Sequence, residues 1–330
     1  MTTPNLDLAP VARDGSLGSV PVIDLRAPRS LLVREIDQAC LEWGFFQVRG
    51  HGVPQRAFEQ LLATSQAFFA LPRRAKRQSL RTPDNPWGYY DRELTKNARD
   101  KKEVFDIGPD AAGQSSDSDA FAGDTRWPDQ PDSFRRHVHR YFVEAARVAN
   151  LLADLIGDCL GAPGLLSAAF RPAHSSFLRL NYYPVADPMA GEQASEAGLG
   201  VHHHSDAGVL TLLWQSGVPG LQVYRDGHWH GIEPIIDAFV VNIGDMVQVW
   251  SNDRYRAPLH RVLAMNSADR YSFPFFHNPS YGTVVEPFTG ERPHYRPIHW
   301  GEFRRKRADG DFADYGSEVQ IADYRIGEVT

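Results

Sequence analysis

The chain has 330 residues, of which 42% are hydrophobic and 23% charged, a composition typical of a soluble globular protein with enough apolar material for a core. Its net charge of -6 excludes the strongly basic surface of nucleic-acid-binding proteins, and no apolar run is long enough to cross a membrane. Two widely separated cysteines and the lack of a secretory signal pattern predict a cytoplasmic protein.

The N-terminal part alternates short strands with amphipathic helices. Val20–Leu25 and Phe45–Val48 are predicted strands. A helix is predicted from about Ser30 to Trp43, where apolar residues recur at helical spacing, and a second one follows Pro54. This order predicts a mixed helix and strand region at the start of the chain.

A loop and a long helix follow. Between Gly108 and Gln130 the sequence is rich in Gly, Ser, Asp and Pro, which predicts a long loop of the kind that is often functional. From about Ser133 to Ile156 apolar residues recur at steps of four and three, so one stripe of a long helix should be buried. We expect this helix to pack against the core.

The second half is rich in β-strand patterns separated by turn signals. The predicted strands are Phe177–Tyr183, Val209–Trp214, Leu221–Tyr224, Trp229–Ile232, Ala238–Ile243, Met246–Trp250, Arg261–Ala264 and Tyr271–Phe276. Antiparallel strands in this number after a helical start predict an α+β fold, with a double-stranded β-helix (jelly roll) core and helices packed outside.

Three consecutive histidines stand out in the stretch GLGVHHHSDAGVLTLLW. Side chains two apart on a strand point to the same face, so His204 and Asp206 should project together. His202 shares that face if the strand is regular, whereas His203 points the other way. An imidazole and a carboxylate side by side are two ligands of a metal site, and the third must come from another strand.

His260 is the best candidate for that third ligand, because it lies at the start of a later strand. Two histidines and one carboxylate on one side of a metal leave its other side open, which favours a non-haem Fe(II) oxygenase over a closed zinc site.

Arg270 and Ser272 follow on one face of the next strand. A guanidinium and a hydroxyl together suit a carboxylate ligand.

These residues occur within longer segments that resemble one family. The segments VPVIDL, WGFFQVRGHGVP, KEVFDIG, LRLNYYP, GLQVYRDGHW, AFVVNIGDMVQVWSNDRYRAPLHRV, RYSFPFFHNP and YRPIHWGEF occur in family order. With the Arg-x-Ser pair ten residues after the distal histidine, the chain resembles the isopenicillin N synthase-like family of Fe(II)/2-oxoglutarate-dependent dioxygenases.

The resemblance implies a role for each candidate residue. Iron would be bound by His204, Asp206 and His260, and the distal carboxylate of 2-oxoglutarate by Arg270 and Ser272. Three further positions match family features as well. Asn181 and Tyr183 would help to hold 2-oxoglutarate, and Phe276 would line the substrate pocket. The implied reaction couples oxidative decarboxylation of 2-oxoglutarate, with O2, to hydroxylation, desaturation or cyclisation of a small molecule.

The same sequence features are compatible with other functions. Some relatives use the same triad without 2-oxoglutarate, in ring closure or ethylene formation. A cupin-like metal-dependent hydrolase or a non-catalytic binding module would share the scaffold.

The resemblance predicts an N-terminal region at 1–110, a loop and packing helix at 111–170, a catalytic core at 171–285 and a C-terminal helix and tail at 286–330. It indicates neither the organic substrate nor an oligomeric state.

Overall fold

A computed structural model describes residues 19–95, 98–109, 123–187, 189, 199–288, 292–312 and 319–327, together with positions 6, 10 and 11. In chain order the strands are β1 (Val22–Asp24), β2 (Phe45–Arg49), β3 (Gly88–Tyr90), β4 (Leu94–Thr95), β5 (Ala98–Arg99), β6 (Glu103–Ile107), β7 (Phe177–Tyr183), β8 (Leu199–His204), β9 (Leu210–Gln215), β10 (Leu221–Arg225), β11 (His228–Gly231), β12 (Phe239–Ile243), β13 (His260–Leu263), β14 (Arg270–His277), β15 (Val284–Val285) and β16 (Ile298–His299). The helices are α1 (Arg29–Glu42), α2 (Gln55–Phe69), α3 (Arg73–Lys76), α4 (Phe134–Cys159), α5 (Leu165–Ala169), α6 (Asp245–Trp250) and α7 (Trp300–Phe312).

Two sheets form the core of the described part of the chain. The major sheet has the strand order β1-β2-β12-β9-β14-β7-β6-β3, and the minor sheet has the order β11-β10-β13-β8. One apolar cluster joins them, because it contains Phe45, Leu213 and Val240 from the major sheet and Val201, Val223 and Val262 from the minor sheet. The predicted α+β fold with a jelly-roll core is confirmed.

Helix α4 lies against the outside of the major sheet. Its predicted apolar stripe is buried along the whole length, from Phe134 through Tyr141 to Leu155. The helix packs against α1, α2 and β14, and the Tyr141 hydroxyl donates a hydrogen bond to the backbone oxygen of Phe273 at 3.2 Å. The major sheet is therefore covered by helices on one face and by the minor sheet on the other.

One predicted strand is wrong. Residues Met246–Trp250 belong to helix α6, which begins at Asp245 after an extended Gly244. A short apolar run does not separate a buried strand from a buried helix, and the valines in this segment favour the wrong choice. The acidic residue in the first turn favours the helix, because a carboxylate interacts well with the positive end of the helix dipole.

The other predicted strands of the second half are confirmed, with ends that differ by at most one residue. The predicted loop between Gly108 and Gln130 is only partly covered, because residues 110–122 lie outside the described residues. Among the helices described, none combines the length and the apolar character needed to cross a membrane.

Candidate metal centre and adjoining cavities

The minor sheet brings the two predicted histidine ligands together. Strands β8 and β13 are antiparallel neighbours, and their register places His204 directly opposite His260. The centroids of the two imidazole rings are 4.3 Å apart. Their ligand nitrogens and a carboxylate oxygen of Asp206 all lie within 4.8 Å of one another, a spacing that suits one metal ion.

Asp206 reaches this position by a different route from the predicted one. Strand β8 ends at His204, so strand alternation does not extend to the acid. Instead, the backbone nitrogen of Asp245 donates to the backbone oxygen of Asp206 at 2.8 Å, which ties the turn to the start of α6. Gly244 permits this close approach, because a Cβ atom there would lie 2.3 Å from the backbone oxygen of Gly208.

The hydrogen bonds of the triad leave three donor atoms facing one point. Oδ1 of Asp206 lies 3.5 Å from Nε2 of His204 and 3.6 Å from Nε2 of His260. Nδ1 of His204 is 2.8 Å from the backbone oxygen of His202, and Nδ1 of His260 is 3.3 Å from that of Pro258. A proton on each Nδ1 donates to these carbonyls, and both Nε2 lone pairs remain available to a metal.

The second oxygen of Asp206 has its own partners. Oδ2 accepts hydrogen bonds from the Thr211 hydroxyl and, at 2.8 Å, from Nδ2 of Asn242. Both donors lie on neighbouring strands of the major sheet and face each other in register. Sequence reasoning missed these two residues. A signal was available, because each is a polar residue within a strongly apolar strand.

The charges within the triad suit a metal site. Burial would raise the pKa of Asp206, but the two histidines and Asn242 hold it well below its usual range. Burial and the neighbouring His204 lower the pKa of His260 to about 4. Burial also lowers the pKa of His204, but hydrogen bonding to Asp206 outweighs this and raises it overall. The centre thus holds one carboxylate and, at His260, a neutral imidazole.

The two other histidines of the triplet lie away from this point. His202 is buried, with Nδ1 3.5 Å from Oδ1 of Asp100. The His203 ring lies 6.4 Å from that of Trp229. His202 is therefore directed towards Asp100, although strand alternation would have placed it beside His204.

All eight residues predicted for the site line a single cavity. It is bounded by the three ligand candidates and Phe276 together with Asn181, Tyr183, Arg270 and Ser272. Strands β7 and β14 create this wall, because their register pairs Arg270 with Tyr183 and Ser272 with Asn181. Nδ2 of Asn181 donates to Oγ of Ser272 at 3.3 Å.

Arg270 has an incomplete set of partners within this cavity wall. Its side chain is fully buried, and Nη2 donates to Oε1 of Gln215 at 2.8 Å. Among the described residues, Nε and Nη1 of Arg270 and Nε2 of Gln215 have no hydrogen-bond partner. Burial lowers the pKa of the guanidinium, and Tyr183 partly opposes this. Unsatisfied buried donors around a cation fit the carboxylate of 2-oxoglutarate.

A second cavity adjoins the first at the metal centre. Both are lined by His204, Asp206, Phe276, Lys102 and Arg179, whereas Arg270 and Ser272 line only the first. The second cavity is also bounded by Glu93, Phe177, Trp300, Arg304 and Arg307. The metal centre therefore lies at the junction of two chambers with different walls.

A buried network of ion pairs forms part of the second wall. Arg179 donates to both carboxylate oxygens of Asp106, at 2.7 and 2.8 Å, and to Glu93 at 2.8 Å. Lys102 lies 2.8 Å from Glu93 and 3.1 Å from Asp100. The cations hold the pKa of Glu93 well below its usual range although burial alone would raise it. This network was not predicted from the sequence.

Comparison with known proteins agrees with this geometry. Residues 174–279 match the model of the 2OG-Fe(II) oxygenase superfamily, and residues 20–130 match the N-terminal domain described as non-haem dioxygenase in morphine synthesis. The chain belongs to the 2OG-Fe(II) oxygenase superfamily. Jasmonate-induced oxygenase 4 of Arabidopsis thaliana is 32% identical over 302 residues, which cover 86% of this chain and 81% of that protein.

Solved structures show the same likeness. The crystal structure of JOX2 in complex with 2OG, Fe and JA has a TM-score of 0.75 and 29% identity, covering 86% of this chain and 83% of that one. A full-length protein of Neurospora crassa, solved in complex with alpha-KG and thymine, has a TM-score of 0.74 and 25% identity, covering 91% of this chain and 99% of that one. The prediction of a non-haem Fe(II) enzyme that uses 2-oxoglutarate is thereby confirmed.

Proposed function

We propose that the protein oxidises a small organic molecule by hydroxylation. The predicted residues of the metal centre and of the first cavity have the following roles. His204 and His260 bind Fe(II) through Nε2, and Asp206 binds it through Oδ1. Arg270 and Ser272 bind the distal carboxylate of 2-oxoglutarate, assisted by Asn181 and Tyr183. The observation that carries this proposal is a single cavity with the triad and a buried guanidinium whose N–H donors are unsatisfied among the described residues.

The overall reaction balances in atoms and electrons. A substrate C–H bond, 2-oxoglutarate and O2 are converted to a C–OH bond, succinate and CO2. The bound metal would supply the activation of O2, and the protein supplies orientation and a dry site. Leu213, Leu221 and Val262 line the first cavity, in which 2-oxoglutarate would bind and which is called the cosubstrate cavity below, and they exclude water from it. Desaturation and cyclisation use the same centre and are the other outcomes open to the substrate.

The side chains around the triad have separate tasks in this scheme. The backbone carbonyls at His202 and Pro258 keep a proton on each Nδ1 and so keep Nε2 free for the metal. Thr211 and Asn242 occupy Oδ2 of Asp206, which directs Oδ1 to the metal. Phe276 lines both cavities and would contact cosubstrate and substrate.

The test is an anaerobic titration of the Fe(II)-loaded protein with 2-oxoglutarate. Chelation of Fe(II) by the keto acid should produce a metal-to-ligand charge-transfer absorption band that saturates with 2-oxoglutarate. Addition of air with a substrate should then yield succinate in amounts equal to the oxidised product. If no band forms at saturating 2-oxoglutarate, a same-fold Fe(II) oxidase of the ring-closing type is favoured instead.

We also propose that the protein is cytoplasmic. Cys40 and Cys159 are buried free thiols, which supports a reducing compartment, the cytoplasm.

A further inference from the structure

The wall of the second cavity carries more positive than negative groups. Lys102, Arg179, Arg304 and Arg307 line it, and among the described residues Glu93 is the acid that faces it besides the metal ligand Asp206. Asp100 and Asp106, which pair with Lys102 and Arg179, do not belong to the lining. Because Lys102 and Arg179 have acids at ion-pair distance, the cations of interest for a ligand are the other two on this lining, Arg304 and Arg307.

Two of these cations lie on one helix, α7, at the boundary of the cavity. Arg307 is buried, and its guanidinium donates to three neutral oxygens, the backbone oxygens of Ser205 and Val319 and the side chain of Gln320. Its ion pair with Asp245 is long, at 3.8 Å. These contacts fix Arg307 at the boundary of the cavity, and the half-buried Arg304 lies one turn earlier on the same helix.

Three large aromatic side chains, Phe177, Phe276 and Trp300, also line the second cavity. The Phe177 and Phe276 rings are stacked with centroids 4.6 Å apart and planes 22° apart, and Trp300 lies on the same lining. The guanidinium carbon of Arg304 is 5.5 Å from the centroid of the Phe177 ring. A flat apolar surface thus leads from the metal centre, where Phe276 stands, to a guanidinium on α7.

We propose that the organic substrate is a carboxylic acid with a flat or ring-shaped apolar body, and that Arg304 binds its carboxylate. The apolar body would lie on Phe276 and Phe177, close to the triad, and the carboxylate would point to α7. A guanidinium pairs with a carboxylate through two parallel hydrogen bonds, and an amide of the same shape makes a weaker pair. This inference rests on the proposed function and adds the class of substrate to it.

The test compares acids with their own primary amides. Phenylacetate, trans-cinnamate and indole-3-acetate, and the three matching amides, are titrated by calorimetry into the protein loaded with Zn(II) and 2-oxoglutarate, which binds ligands without turnover. At least one acid should bind about tenfold or more tightly than its amide, the ratio expected for hydrogen bonds to a charged group. Equal affinity for acids and amides, or failure of every acid to bind, overturns the proposal.

A matched pair of variants on α7 locates the effect. Arg304→Gln should weaken binding of the acid by roughly 10- to 100-fold and leave binding of the amide unchanged. Arg305→Gln removes the same charge from an exposed position on the same helix and should change neither. An equal loss in both variants would show a long-range charge effect and contradict the assignment of Arg304.

Two further measurements separate this inference from the proposed function. Thermal unfolding and 2-oxoglutarate affinity should be the same in Arg304→Gln and the parent, because Arg304 does not line the cosubstrate cavity. If the Fe(II)–2-oxoglutarate absorption band is absent, the proposed function fails. If the band forms but acids have no advantage over amides, only the substrate class is wrong.

Discussion

Two parts of the cavity walls around the metal centre hold their buried cations in opposite ways. In the cosubstrate cavity, Arg270 is fully buried, and its partners in the protein are Gln215 and Tyr183, neither of which is an acidic residue. On the wall that the two cavities share, Lys102 and Arg179 are surrounded by Glu93, Asp100 and Asp106 at ion-pair distances. One guanidinium thus lacks an acidic partner among the described residues, whereas the other two cations have theirs in place.

This difference indicates which of the buried cations bind a ligand. Burying a cation without a counterion costs free energy, which the folded protein recovers when an anion binds. A cation with its acids in place gains nothing comparable from a ligand, and it stiffens the wall that it belongs to. We therefore interpret Arg270 as a binding residue, and the Lys102 and Arg179 network as a support for the wall that the two cavities share.

The largest expected effect is at the junction of the chambers. Asp206→Ala removes the charged ligand of the triad and should reduce Fe(II)-dependent succinate formation to background. His203→Ala, on the same strand as His204 but away from the triad, should keep most of the activity. Both are measured with bound metal quantified in parallel. Equal loss in the two variants would mean that the ligand assignment around His204 is wrong.

Charge removal from the compensated network should act on stability. Glu93→Gln leaves Lys102 and Arg179 short of a carboxylate in a buried position, so the free energy of unfolding should fall by about 3–5 kcal/mol. Chemical denaturation of the metal-free protein measures this. The control is Glu144→Gln, which breaks an exposed pair with Arg147 and should cost less than about 1 kcal/mol. Similar losses in both variants would contradict the supporting role of the network.

The same kind of change at Arg270 should act on binding instead. Arg270→Lys cannot reproduce the guanidinium fork, so the affinity for 2-oxoglutarate should fall by about 2–3 kcal/mol, or roughly 30- to 150-fold, while the unfolding free energy stays near that of the parent. The affinity is read from the charge-transfer band. Arg261→Lys is the control, because Arg261 is buried with a glutamine partner, Gln222, but does not line the cosubstrate cavity. An unchanged 2-oxoglutarate affinity in Arg270→Lys would remove Arg270 from the site.

The grouping of the predicted site residues around one cavity could be expected from the sequence because these residues occur in short local patterns. The pairs His204 with Asp206 and Arg270 with Ser272 are two apart, and each group falls on or just after one strand. The strand patterns were strong enough to place His260 at the start of a later strand. The pattern could not show how Asp206 is positioned. The turn that contains it is hydrogen-bonded to the start of helix α6, and the sequence of this helix resembles that of a strand.

The charged wall of the second cavity was not predicted, for a physical reason. Its charged residues lie on separate elements, with Lys102 before β6, Arg179 on β7 and Arg304 on α7, and each is an ordinary charged residue in its local sequence. Their significance depends on being buried together, which is a property of the tertiary fold. Phe276 was predicted from the family likeness alone, and its stacking on Phe177 depends on the register of β7 with β14.

The smallest expected effect concerns the residues that orient Asp206. Thr211→Val keeps the shape of the side chain but removes the hydroxyl that donates to Oδ2, and Asn242 still occupies the same oxygen. Loss of one such partner of a ligand should weaken metal binding by about tenfold. A competitive titration with Zn(II) measures this affinity. Thr64→Val, at a buried threonine of α2, should leave it unchanged. If Thr211→Val binds Zn(II) as tightly as the parent, the Thr211 hydroxyl does not orient the carboxylate. In that case the hydrogen bond from Asn242 to Oδ2 is sufficient to direct Oδ1 to the metal.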